Sequence, residues 1–422
     1  MLYLRLFKYA DFAKLWSAQI LSGISQNLLN FSLIILVYEL TLGSQFANLS
    51  VSLLVLTFGL PALLFAPIAG AYVDHWDRKK VLVVSNLLRA GLVLLYVFFD
   101  HNLSLILIIS FIVSTILQFF VPAESASIPN VVPKNLLLAA NSLFIFSLYA
   151  SFIIGYSGSG PAIHYLGPHG PYWVVAGMLL LAALLTSTLD LRSVKRRSGP
   201  LPRLHPVKHL RNNWRIITSQ RDRLFSALQL TVTQAMVSVL ITLAPALSLA
   251  VLHIPLKQAS HILIIPVGVG LVLGVVLVTT ISKRLTKMRL IQGGLITAGI
   301  TLTLVGLSGQ LYRTHDGQTL LPLAVIPVIL AVLMLLLGML NALISAAAQT
   351  MLQESTNDEN RGKVFASLNM MVNLAATTPI LLTGLLADLL SVTKVITMLG
   401  VIATVYALYI TWRYRRSVVQ PS

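Results

Sequence analysis

Long uncharged stretches alternate with short charged ones along the chain, and the stretches share one length scale. Residues 15–38, 40–73 and 101–123 contain no Asp, Glu, Lys or Arg, and 81–99 contains only Arg89. A charge costs about 2.5–3.5 kcal/mol at the centre of an inserting helix, so charges punctuate such a sequence. The run 135–189 holds 55 uncharged positions, far beyond the ~20 that one crossing needs. Gly167-Pro168-His169-Gly170-Pro171 divides it into two helices, because adjacent Gly and Pro stop a helix. Later runs at 224–256, 258–282, 290–312, 317–353, 364–387 and 395–412 give six more. The pattern predicts twelve transmembrane helices and an all-α membrane protein.

Composition agrees. Apolar residues make up 56% of the 422 and charged residues 10%, against roughly 25% charged in a soluble chain. Such a surface belongs in lipid, so the bilayer is the first expected partner. The net charge of +17 would indicate nucleic acid in a soluble protein. Here its placement decides. With both termini and the even-numbered connections on the cytoplasmic side, 26 Lys and Arg lie on that side. Only Lys257, Arg313 and Lys394 lie on the other, and Arg89 is inside a helix. That asymmetry is a positive-inside signal for a multi-pass inner (cytoplasmic) membrane protein, and it removes the argument for nucleic acid. The N-terminal Arg5, Lys8 and Lys14 lead into an apolar stretch too long for a cleaved signal, so the N-terminus is expected to be retained.

The longest polar interval, 191–222, separates a six-helix region at 1–190 from another at 223–422. Pro200, Pro202 and Pro206 mark a linker, and Val207, Leu210, Trp214 and Ile217 recur at the spacing of an interfacial helix. The halves echo each other. Lys14-Leu15-Trp16-Ser17-Ala18 returns as Arg223-Leu224-Phe225-Ser226-Ala227, 209 positions on, and Asn141 in helix five has a counterpart in Asn369 of helix eleven. Two pseudo-symmetric six-helix bundles are expected, with a cavity between them near mid-membrane.

Candidate chemistry is sparse. Arg89 lies about 12 Å into helix three at 1.5 Å per residue, and an ionised group there is a functional candidate by default. Snorkelling or a structural pairing would also account for it. Gln19, Ser22, Gln26 and Asn30 form one polar stripe on helix one. Ser226, Gln229 and Thr233 form another on helix seven, with Asn341 and Ser345 on helix ten and Asn369 and Asn373 on helix eleven. These amides and hydroxyls suit a cavity that binds a substrate of few fixed charges; interhelical hydrogen bonding is the rival account. Glu39 and Glu124 are the nearest carboxylates for proton coupling, and each also reads as a helix-boundary residue. Cys is absent, no His, Asp and Glu cluster has metal or catalytic spacing, and no phosphate-binding Gly-Lys-Ser/Thr loop occurs. Neither an enzyme nor a metal or cofactor site is expected.

The junction of helices two and three reads Gly70-Ala71-Tyr72-Val73-Asp74-His75-Trp76-Asp77-Arg78-Lys79-Lys80. It resembles the signature of the major facilitator superfamily, with Asp77 where the general pattern has Gly. That variant is similar to the branch of macrolide and enterobactin exporters. Leu15-Trp16, Thr41-Leu42-Gly43-Ser44, Pro61, Pro122-Ala123 at the end of helix four, Ile128-Pro129, Arg361-Gly362-Lys363 and Gly384-Leu385-Leu386-Ala387-Asp388 extend the resemblance. It implies a monomeric carrier that exports amphipathic or hydrophobic small molecules by alternating access, driven by protons. It also implies that Gly70, Asp74, Asp77, Arg78, Lys79 and Lys80 form a cytoplasmic gate, with Asp74 against the N-terminus of helix eleven. Departures are plain: Gln26 stands where relatives often carry Asp, and the second-half junction keeps Lys283, Arg284 and Lys287 without the Asp. A looser likeness to bacterial lysophospholipid transporters makes a lipid flippase the first alternative, and a non-transporting sensor or assembly factor the second.

Overall fold

The computed structural model describes residues 5–73, 75–190, 218, 220–249, 260–281, 284–311, 325–354 and 379–419. Every described element is helical. The first six long helices are α1 (Ala10–Thr41), α2 (Ala47–Val73), α3 (Arg78–Leu94, with one further turn at Tyr96–Phe99), α4 (Leu103–Val131), α5 (Leu137–Leu166) and α6 (Gly170–Ser187). The next six are α7 (Arg221–Leu247), α8 (Ile265–Ile281), α9 (Lys287–Leu311), α10 (Val325–Glu354), α11 (Pro379–Leu390) and α12 (Val392–Val419). Ten are long and apolar enough to cross a membrane, and α8 and α11 are shorter apolar helices. This is the all-α membrane architecture that the hydropathy pattern predicts.

One boundary differs. Helix α4 does not stop at Pro122-Ala123 but continues through Pro122 and Pro129 to Val131. Charge punctuation fails here because Glu124 is 8% exposed and lies within electrostatic reach of Arg89. An answered charge need not end a helix. The break between α5 and α6 falls where expected, at Gly167, whose φ of 80° suits a residue without Cβ.

The chain forms two compact units, Met1–Leu40 with Leu53–Pro206, and Thr41–Ser52 with Val207–Ser422. Helix α2 therefore begins in the second unit and ends in the first. The region 207–217, expected to carry the interfacial helix, is outside the described residues.

In the first unit, α3 packs on α6 and α4. Helix α1 grips α5 through Trp16 Nε1, which donates to Ser147 Oγ at 2.8 Å. Phe12, Leu15, Leu82, Phe120 and Phe144 are core members of an apolar cluster. Asp77 starts α3: its backbone is extended (φ −73°, ψ 107°) and its carboxylate accepts from the Lys80 N–H at 3.3 Å. It thus answers one of the orphan donors of a first helical turn.

Lipid tails are as apolar as leucine, so helices in a bilayer associate through close packing rather than burial from water. The second unit shows how. A Cβ on Gly299 would lie 2.4 Å from Thr404 Oγ1, one on Gly306 2.2 Å from Thr397 Oγ1, and one on Gly400 2.3 Å from the Thr303 nitrogen. These positions bring the backbones of α9 and α12 together along a reciprocal seam. Gly270 and Gly274 do the same for α8, against the backbone of α10 at Leu335 and Met339.

Candidate functional site

Arg89 organises the polar interior of the first unit. Its place on the buried face of α3, with Leu82, Ser85, Asn86 and Val93, leaves it 1% exposed. It does not snorkel. Its guanidinium donates to Ser22 Oγ at 2.9 Å and to Gln26 Oε1 at 2.8 Å, both on α1. It lies 5.9 Å above the Phe120 ring of α4 and faces the charge of Glu124, one turn further along that helix. Gln26 in turn donates to Asn30 Oδ1 at 2.7 Å, and Asn30 is hydrogen-bonded to Tyr156 of α5.

The helix-one stripe is thus a network joining α1, α3 and α5 within the unit. Gln19 and Ser22 are each 3% exposed, and Gln26 and Asn30 are half-buried. Gln19 donates weakly to the Phe144 carbonyl at 3.4 Å. Several buried atoms here keep unused hydrogen-bonding capacity: Arg89 Nε, Glu124 Oε1, Gln19 Oε1 and both amide atoms of Asn86. A buried charge in this setting persists only when answered by an opposite charge and by dipoles. Arg89 has both.

In the second unit, the Gln229 side chain is fully buried and donates to the Tyr406 hydroxyl at 3.3 Å. Thr233 is 3% exposed and returns its hydroxyl proton to the Gln229 carbonyl, while Asn341 on α10 reaches the Thr233 carbonyl at 3.4 Å. Asn369 and Asn373 are outside the described residues. Glu39 is exposed at the end of α1. Glu124 is the carboxylate that the fold buries beside an arginine, seven residues before the end of α4.

At the helix-two/three junction, Arg78 donates to the Ala126 carbonyl of α4 at 2.7 Å, Asp77 caps α3, and Lys80 is exposed. Gly70 has open space where a Cβ would stand. Asp74 and residues 355–378, the two partners expected to form a gate, are outside the described residues. Beyond the spans, Asp100 meets His169 Nε2 at 2.8 Å and His101 Nδ1 at 3.2 Å. The contact with His169, aided by His101 and opposed by partial burial, holds the Asp100 carboxyl below its ordinary range.

The sequence places Ser22 and Gln26 on one polar stripe but does not join that stripe to Arg89 or Glu124. The signal was present: Arg89 is the lone embedded cation and Glu124 the lone carboxylate near the inner third of a span. Two residues went unnoticed. Asn86, one turn from Arg89, is 0% exposed, and Tyr406 faces Gln229.

Known proteins resemble the chain along most of its length. The Major Facilitator Superfamily profile matches residues 15–314 and 317–422. Macrolide efflux protein A of Streptococcus pyogenes is 25% identical over 403 residues, 90% of each chain. An uncharacterised MFS-type transporter of Bacillus subtilis, YkuC, is 25% identical over 288 residues, 66% of each chain and so just under two thirds of that relative. Among solved structures, the POT family transporter PepTSo superimposes with a TM-score of 0.75 at 11% identity, over 98% of this chain and 99% of that one. A bacterial homologue of the human lysosomal transporter Spinster, inward-facing and unoccupied, gives 0.75 at 11% identity over 94% and 95%. At that identity the structures speak for the fold alone. Twelve apolar helices among the described residues, the Gly70-to-Lys80 junction in the sequence and a profile match over nearly every residue lead to one conclusion: the chain belongs to the Major Facilitator Superfamily and is a multi-pass membrane transporter.

Proposed function

We propose that the protein is a secondary active exporter of amphipathic or hydrophobic small molecules, coupled to protons through the Arg89–Glu124 pair. The observation that carries this reading is the burial of both charges in one unit, on neighbouring helices, within a network of neutral amides. A coupled carrier needs a group whose charge changes during the cycle without collapse of its surroundings. Protonation of Glu124 leaves Arg89 still held by Ser22 and Gln26. Release of the proton restores the electrostatic attraction between the two side chains, and the unused amide atoms of Asn86 and Gln19 can follow either state. Half-buried neutral amides, Gln26 in the first unit and Asn341 in the second, supply hydrogen-bonding groups with no fixed charge, which suits a large, weakly charged substrate. The similarity to a macrolide efflux protein supports the same substrate class.

On this reading both termini face the cytoplasm of a bacterial cell. The junction carrying Gly70, Asp74 and Arg78 is then the cytoplasmic gate, with Arg78 anchoring it to α4.

The test is reconstitution. Proteoliposomes loaded with erythromycin or ethidium should release it faster when an inward proton gradient is imposed. Glu124→Gln should abolish the gradient's effect while substrate exchange at equal pH continues. Full gradient-driven release by Glu124→Gln overturns the coupling. Transport of spin-labelled lysophosphatidylethanolamine in place of both probes would favour a flippase, a reading that the engagement of Arg89 by protein groups disfavours.

A further inference from the structure

We propose that Asp388, on α11, is a positioning residue for the transport cycle: a latch that docks the first turn of α2 and releases it when the carrier changes state. The proposal rests on the transport reading above. Asp388 Oδ1 accepts from the Asn48 backbone N–H at 2.9 Å and from Asn48 Nδ2 at 2.7 Å, and Oδ2 accepts from the Leu49 N–H at 2.9 Å. Asn48 and Leu49 are the second and third residues of α2, whose amides have no partner within their own helix. The carboxylate also meets the partial positive charge of that terminus. A distant side chain, 340 positions on, therefore caps the first turn of α2.

Two features mark the contact as more than packing. The first is a glycine one turn before the carboxylate. A Cβ on Gly384 would lie 2.0 Å from Ser52 Oγ and 2.8 Å from the Asn48 carbonyl. Only glycine lets α11 approach α2 closely enough for Asp388 to reach both amides.

The second is a repeat in the sequence. Gly384-Leu385-Leu386-Ala387-Asp388 has the same Gly-x-x-x-Asp form as Gly70-Ala71-Tyr72-Val73-Asp74 at the far end of α2. The two glycines have different surroundings. Gly384 is packed against α2, whereas Gly70 has nothing within 4 Å of its would-be Cβ. Helix α2 thus carries the target of one copy at its start and the other copy at its end, and its first residues group with the second unit while the rest belong to the first. A single rigid helix with a docking device at each end can favour one engagement at a time. The state described here has the Asp388 end engaged.

The chain has no cysteine, which makes accessibility a clean readout. Ser50→Cys places a thiol at a site 8% exposed, one residue beyond the capped amides. Its reaction rate with a membrane-impermeant maleimide would be measured in lipid nanodiscs, with Phe98→Cys, at an exposed position, as a control for folding. Asp388→Asn keeps the shape but loses one acceptor and the charge. It should raise labelling at position 50 about tenfold, the ratio given by a loss of about 1.4 kcal/mol. Gly384→Ala should act in the same direction by separating the helices, and Asp388→Glu should restore part of the protection.

In proteoliposomes the Asn variant should change kcat for erythromycin release and leave KM alone, since the latch touches no substrate. Unchanged labelling in both Asp388→Asn and Gly384→Ala overturns the latch. Faster labelling with an unchanged kcat, in vesicles whose parent protein transports, overturns its place in the cycle. Faster labelling where the parent shows no transport at all leaves the release of α2 supported and refutes the exporter reading instead.

Discussion

Replacing Arg89 by Met removes a cation that is 1% exposed and donates two hydrogen bonds to acceptors on α1. Hydrogen bonds between membrane helices average about 0.6 kcal/mol and reach about 1.7, so these two account for roughly 1–3 kcal/mol. The change also strands Glu124. Breaking a buried ion pair from one side typically costs about 3–5 kcal/mol, because the surviving charge has no answer. Uptake of a proton by Glu124 would relieve part of that, so the expected loss is about 3 kcal/mol. Glu124→Gln should cost about 2 kcal/mol, leaving the guanidinium with neutral partners only. The double variant has no buried charge left to strand. It should return to within about 1 kcal/mol of the parent, as neutral replacements of buried pairs often do. Unfolding in detergent, followed by intrinsic fluorescence across the four proteins, gives the coupling energy. Residues without shared partners are additive within about 0.5 kcal/mol. Additivity of that quality between Arg89→Met and Glu124→Gln would refute the pair and the proton-coupling proposal built on it.

Other consequences follow from the packing and the loops. Gly270→Ala forces a Cβ to within 2.0 Å of the Leu335 carbonyl oxygen and should destabilise by about 1–3 kcal/mol, whereas Gly91→Ala meets nothing within 4 Å and should be neutral. Equal melting temperatures for the two would contradict the α8–α10 approach. The folded-state pKa of Asp100 is depressed, so its stabilising contribution is present above the ordinary carboxylate pKa and lost as pH falls through the lower folded value. Asp100→Asn should therefore lower stability at pH 7 by about 0.2–1 kcal/mol, an exposed-pair magnitude, and have no effect once the pH is below both values. A constant deficit across that range would show that the histidine contacts are not the cause. Asp77→Ala should remove about 0.5–2 kcal/mol of helix capping, which thermal unfolding would detect, with Asp77→Ser recovering most of it.

The architecture was legible because the bilayer imposes a simple rule on sequence: a span excludes unanswered charge. Twelve apolar runs, the break at Gly167 and the basic clusters between runs all obey it. The same rule misplaced the end of α4, since Glu124 is answered by an arginine 35 positions earlier that no one-dimensional reading connects to it. The polar stripe on α1 was visible at helical spacing, but spacing gives a face and not what the face meets. Gln26 meets a guanidinium and then Asn30, a chain of contacts decided by how α3 and α5 lie against α1. Asp388 stood in the sequence only as the last residue of Gly384-Leu385-Leu386-Ala387-Asp388, for a similar reason. Its partner amides belong to backbone, and backbone donors leave no trace in residue type.

The seam between α9 and α12 has a practical side. Glycine and threonine interlock there with backbone against backbone, so sliding one helix along the other meets steric contact at Gly299, Gly306 and Gly400. Such a pair is expected to move as one rod. An engineered tag fused as a continuous extension of α12 would inherit that stiffness, giving electron microscopists a reference mark on a 46.0 kDa particle otherwise hidden in its detergent belt.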